Sequence, residues 1–144
     1  MNEKILKAFI ETIPAEVTII DANDEVIGWN RHENRVFKRP LTSMGLNFRQ
    51  CHPESSLSIV EQIINEMKAG TRDKVRFWID LPVNSGSGGN GEMPNSDGSL
   101  PTHKMLIEFY ALRDDAGNYI GCMEYIQDIE EIRKLEGIKR LIDG

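Results

Sequence analysis

Residues 104–127 constrain the fold more than any other stretch. Lys104 to Arg113 and Tyr119 to Gln127 are two strand-like runs, and only Asp114-Asp-Ala-Gly-Asn118 separates them. Runs joined by so short a turn pair antiparallel, with Gly117 available for the positive φ that such turns need. Glu16 to Asp21 (EVTIID) and Glu25 to Trp29 (EVIGW) repeat the arrangement around Asp21-Ala-Asn-Asp24, whose side chains can bond their own backbone. Lys74 to Leu81 (KVRFWIDL) alternates and supplies a further strand. Strands that come as hairpins rather than βαβ units imply an α+β fold: a five-stranded antiparallel sheet with short helices on one face. Alternation turns Ile107, Phe109 and Ala111 toward those helices and Glu108 away from them.

The helices follow from periodicity. Ile5, Leu6, Phe9 and Ile10 share one face of a helix over 3–12 that Pro14 terminates. Asn30 is placed to cap a short helix over 31–38. Residues 41–53 are irregular, with Gly45 at a left-handed or close-approach position. Glu54 to Gly70 is the clearest helix, with Leu57, Val60, Ile63, Ile64 and Met67 as its apolar stripe. Residues 82–103 are rich in Gly, Ser, Asn and Pro and read as a flexible excursion between two strands. Asp128 to Asp143 carries Ile129, Ile132, Leu135, Ile138 and Leu141 and reads as a C-terminal helix. Its steps of three drift around the helix, so no strict coiled-coil seam is set. The expected organisation is a flanking helix over 1–13, a domain over 14–128 and a signalling helix over 129–144.

Charge and composition exclude several classes. The net charge is −6 with no Lys/Arg cluster, which argues against a nucleic-acid binder. No apolar run is long enough to cross a bilayer, and Met1-Asn2-Glu3-Lys4 lacks the start of a signal peptide, so a cytoplasmic location is expected. Cys51 and Cys122 lie too far apart for a disulfide framework or a zinc spacing and read as reduced thiols. Gly86 to Gly91 lacks the Gly-Lys-Ser/Thr of a phosphate loop. No nucleophile–base set is visible, so an enzyme is not expected.

The ordered punctuation resembles the PAS family. It consists of Asp21, a strand over Val26 to Asn30 ending in Trp-Asn, Val36-Phe37, Ser43-Met44-Gly45, Arg113-Asp-Asp-Ala-Gly117, Gly121, and Asp128-Ile129-Glu130 where the family has Asp-Ile-Thr. The resemblance spans roughly residues 15–130. Cys51-His52-Pro53 and Glu131-Ile-Arg-Lys-Leu-Glu136 are also similar to PAS modules attached to bacterial hemerythrin-like proteins. The resemblance implies a sensory or interaction module with a pocket between sheet and helices. Terminal helices would pass a signal or form a homodimer. Partners would be a small-molecule ligand or haem, with no nucleic acid and no membrane.

His52 has two readings. A pocket-facing imidazole could ligate haem iron, which makes His52 the metal candidate and haem the leading cofactor. The commoner state is a histidine that caps the helix or bonds at the surface. Cys51 reads as a thiolate ligand or as an inert thiol. Phe48, Val60, Ile64, Phe77, Ile107, Phe109 and Met123 supply apolar walls, and serve equally as plain core. The light-sensing flavin branch has Gly-x-Asn-Cys where this chain has Gly45-Leu-Asn-Phe48, so Phe48 forms no flavin adduct. His32 and His103 are expected at the surface, in helix and loop contexts. The apolar face of the N-terminal helix either covers the outer side of the sheet or pairs with a second subunit.

Overall fold

The computed structural model describes residues 1–31, 35–82 and 94–142. Helix α1 (Glu3–Thr12) leads into strands β1 (Glu16–Asp21) and β2 (Val26–Trp29). Two 3-10 turns, Leu41–Ser43 and Phe48–Gln50, precede helix α2 (Glu54–Lys68). Strands β3 (Lys74–Pro82), β4 (Thr102–Arg113) and β5 (Tyr119–Asp128) come next, then a 3-10 turn at Ile132–Lys134. The sheet runs β2-β1-β5-β4-β3, with every neighbouring pair antiparallel.

The two hairpin turns close as their residues dictate. Asp21 Oδ1 accepts from the amides of Asn23 and Glu25, and Asp114 Oδ1 accepts from those of Ala116 and Asn118. Gly117 takes φ 85°. Gly121 is required for another reason: a Cβ there would collide with the Ile20 carbonyl of the paired strand. On the inner face, Val60, Ile63, Ile64 and Met67 of α2 pack with Ile20, Met105, Ile107, Phe109, Cys122 and Ile126. Ile107 and Phe109 face inward as alternation requires. Glu108 points outward, where Arg76 and Tyr110 both donate to its Oε2.

Four expectations are corrected. First, Asn30 does not cap a helix. Its buried side chain accepts from the Val17 amide at 2.7 Å and donates to the carbonyls of Ile10 and Ala15 at 3.0 Å each. It therefore ties the end of α1 to the start of β1. His32, Glu33 and Asn34 lie outside the described residues, and Val36 and Phe37 form a bend. The Glu16 carboxylate accepts from both their amides, at 2.7 and 3.0 Å, which a continuing helix would spend on carbonyls four residues back.

Second, the C-terminal helix is replaced by one 3-10 turn. The Ile129 amide donates to the Lys104 carbonyl, and the Glu130 side chain accepts from the Lys104 amide, so the chain stays tied to the start of β4. Leu135 is extended and Gly137 has φ 67°. Leu135, Ile138 and Leu141 are exposed. Without a surface to cover, a short amphipathic segment gains too little to offset the cost of helix nucleation.

Third, the excursion over 82–103 is shorter than expected. Pro82 ends β3 and Thr102–His103 begin β4, while 83–93, with Gly86 to Gly91, lie outside the described residues. His103 is accordingly buried in a strand, with Nδ1 2.6 Å from Asp128 Oδ2, rather than at the surface of a loop. Fourth, α1 does not cover the sheet: none of its residues is buried, and Ile5, Leu6, Phe9 and Ile10 are all exposed.

Candidate functional site

The space between α2 and the sheet contains a small inner cavity of about 20 Å³, room for about one water. It adjoins a cleft of about 310 Å³ that opens to solvent. The cleft, and not the inner cavity, falls in the range of small-molecule sites. The segment before α2 forms one wall. Asn47 Oδ1 accepts from the Arg49 amide and Gln50 Oε1 accepts from the Asn47 amide, a capping box that turns Phe48 into the core and brings Cys51 and His52 to the cavity. Val60 and Ile64, one helical turn apart on α2, form the roof. Alternation on β1, β4 and β5 supplies Thr18, Ile20, Phe109, Cys122 and Glu124 as the floor.

Eight of the nine residues singled out from the sequence line this space. Phe48, Cys51, His52, Val60, Ile64 and Phe109 line the inner cavity, and Phe77 and Ile107 line the cleft. Phe77 stacks on Phe109 with ring centroids 6.1 Å apart. Met123 is corrected: it pairs with Ile19 and Tyr110 between the inward-facing Cys122 and Glu124, so it points to the opposite face of the sheet.

The chemistry of the cavity rests on residues that hydrophobic reasoning passes over. Glu124 projects inward from the middle of β5. Arg39 Nη2 donates to its Oε1 at 3.2 Å, and His52 Nε2 stands 3.6 Å from its Oε2. His52 Nδ1 lies 2.9 Å from the Phe48 carbonyl oxygen, which can only accept, so Nδ1 carries a proton. Both ring nitrogens thus face oxygen acceptors, and the imidazolium is the form that satisfies both. Burial opposes that charge, but Glu124 and the Phe48 carbonyl outweigh it and hold the His52 pKa above its ordinary value. Burial likewise raises the Glu124 carboxyl, yet His52, Arg39 and Arg35 together hold it below the usual carboxylate range. Burial pushes the Cys122 thiol up to about 12, so it stays protonated and inert. Alternation back from Ile126 would have placed Glu124 indoors, and an acid at a core-parity position is the signal that marks this site.

The signs of these shifts set a pH dependence. His52, with its raised folded pKa, contributes stability fully below its unfolded value of about 6.5, and that contribution is lost as pH rises through the folded value. Glu124, with its lowered pKa, contributes above its unfolded value and loses that contribution as pH falls through the folded one. Urea unfolding from about pH 5 to 9 is expected to show an alkaline loss of stability that His52→Asn lacks. Identical alkaline profiles for the two proteins would show that His52 carries no native proton.

As placed, His52 does not fit an axial haem ligand. Iron coordination needs a free lone pair on Nε2, and here that nitrogen stands 3.6 Å from the Glu124 carboxylate, which favours a proton on it. Among the described residues, no group of three His, Cys, Asp or Glu side chains could hold a metal ion. His32 lies outside the described residues.

The fold and this cavity define a sensory module of the kind that packs helices over one face of an antiparallel sheet. The family model for the PAS domain matches residues 6–130, and the chain belongs to the PAS domain family. Its role is thus of the sensory and signalling class. A C-terminal domain from Streptococcus mutans is similar in structure, with a TM-score of 0.72 and 26% identity over 94% of this chain and 91% of that one. A sensory box sensor histidine kinase from Vibrio cholerae superposes with a TM-score of 0.51 and 14% identity over 87% and 89% of the two chains. VqmA bound to DPO gives 0.55 and 17% over 88% of this chain and 57% of that one. No curated protein sequence matches the chain. Among the described residues, no helix is long and apolar enough to cross a membrane.

Proposed function

We propose that this PAS domain is a non-catalytic sensor that holds a small organic molecule in the cleft between α2 and the sheet and passes its occupancy along β5. One observation carries the reading. Arg39, Glu124 and His52 are gathered at the wall of an otherwise apolar cavity, where charged groups are costly unless they have work to do. A solved protein of similar fold, VqmA, is bound to DPO, which supports a guest for this domain. β5 links the site to the chain beyond it: Glu124 lies in the same strand as Asp128, which accepts from the Glu130 amide and lies against His103. A guest that moved Glu124 would act on those contacts by favouring one of their arrangements.

Haem is the less favoured guest, because binding iron through Nε2 would require His52 to give up its pairing with Glu124. The test combines two measurements on purified protein. Native mass spectrometry is expected to show a bound mass of a few hundred daltons at most that denaturation releases. Haemin titration is expected to give no Soret shift that depends on His52. A His52-dependent Soret band would reinstate haem. A protein that carries no excess mass and takes up no compound would remove the sensor reading.

A second reading has its own observation. The exposed apolar face of α1, Ile5, Leu6, Phe9 and Ile10, suits an interaction surface, with a second copy of the chain as its occupant. Sedimentation showing only monomer at high concentration would remove it.

A further inference from the structure

We infer that the cleft takes an organic carboxylate with a short apolar body, bound by the unused edge of the Arg39 guanidinium beside the Glu124–His52 pair. The inference rests on the sensor reading above and adds the chemical class of the guest. It arises from an imbalance of charge and of donors. Behind the cavity, Arg35 and Glu16 form a self-contained pair: Arg35 donates to the carbonyls of Phe37, Val17 and Asn30 and to Thr18 Oγ1, and Glu16 accepts two backbone amides. At the cavity wall itself, two cationic side chains, Arg39 and His52, share the one carboxylate of Glu124.

The donors point the same way. His52 is engaged at both nitrogens. Arg39 offers five N–H groups, and among the described residues its side-chain bonds are one to Glu124 and one long contact, 3.5 Å, from Nε to Thr18 Oγ1. The remaining guanidinium donors belong to a residue that lines both the cavity and the cleft. A planar fork of this kind matches a carboxylate with two parallel bonds. A carboxylate supplies the missing negative charge and uses the spare donors. A neutral amide uses the donors but leaves the charge. An ammonium must compete with Arg39 and His52 for Glu124. Val60, Phe77, Ile107 and Phe109 give the apolar body its wall in the cleft.

Hexanoate, hexanamide and hexylamine share one body and differ in the head group, so calorimetric titration of the intact chain with the three separates the terms. Hexanoate is expected to bind about tenfold or more tighter than hexanamide, as a charge-assisted pair predicts. Hexylamine is expected to be the weakest. Arg39→Gln is expected to abolish the preference for hexanoate over hexanamide, and Arg39→Lys to keep part of it. The wild-type ranking stands as a test even if either variant fails to fold. Equal or tighter binding of the amide or the amine overturns the carboxylate assignment and leaves the sensor reading standing. Failure of all three to bind also overturns the assignment, and a bound mass in the native spectrum would then still uphold the sensor.

Discussion

Arg35→Ala is expected to lower the stability of the domain by about 4 kcal/mol, measured as the shift in urea unfolding, because it strips a fully buried network of its central donor. No part of Arg35 is exposed. Its guanidinium donates to the carbonyls of Phe37 at 2.9 Å, Asn30 at 2.9 Å and Val17 at 3.3 Å, and to Thr18 Oγ1 at 2.9 Å. Glu16 Oε1 lies 3.8 Å from its Nε. Desolvation lowers the Arg35 pKa against the opposing charge of Glu16. Alanine would leave the Glu16 charge indoors, leave the carbonyls short of donors and open a void. These bonds help anchor the segment after β2, so its loss of protection in hydrogen exchange should accompany the loss of stability. A loss below about 1 kcal/mol would mean that water enters freely and that the burial of Arg35 is not sustained in solution.

Glu124→Met is expected to cost about 3 kcal/mol for a related reason, and to do so through two cations rather than one. The Glu124 and Arg39 side chains are 12% and 11% exposed, so both charges depend mainly on each other and on His52. Removing the carboxylate leaves Arg39 and His52 facing one another, and the His52 pKa falls because burial and Arg39 already press it down. The double variant Glu124→Met, Arg39→Met is expected to recover a good part of the loss, since replacing a whole buried pair by apolar groups is far milder than orphaning one member. Additive losses in that cycle would mean that the two side chains act separately. If the sensor reading holds, the double variant should also fold while losing its guest, which separates the stability of the site from its function.

The layout of the fold is legible in the sequence because most of it is written in alternation and turns. Glu16–Asp21 and the hairpin around Asp114-Asp-Ala-Gly-Asn118 need no tertiary information, because their turn residues bond their own backbone. Helix α2 announces itself through Val60, Ile63, Ile64 and Met67, all of which are buried. The same reasoning fails over 128–143. There an apolar repeat suggests a helix, but a pattern specifies structure only when a surface exists to receive it, and Leu135 and Ile138 meet none. Met123 is misplaced when hydrophobicity is given more weight than parity, since one position along a strand reverses the face.

The polar half of the site is the least legible part. Arg35, Arg39 and Glu124 are residue types that belong at the surface by default, and a single sequence offers no sign that they meet. They come together only through the register of β1 against β5, which sets Thr18 opposite Glu124, and through the path of the chain after Asn30. Histidine attracts notice in any sequence, yet the partner of His52, which decides its charge and so its chemistry, lies 72 positions away along the chain.

A guest in the cleft should change β5 and the segment from Asp128 onward, and on this the sensor reading depends. Backbone amide spectra of the protein as purified, compared with the same protein stripped by unfolding, desalting and refolding, test it directly. The expected shifts fall at Phe48 to His52, Val60, Ile64, Phe109 and Glu124, and continue through Asp128 to Glu130, with Trp78 on the outer face of β3 unmoved. Superimposable spectra, or shifts confined to the outer face and α1, would contradict the sensor reading.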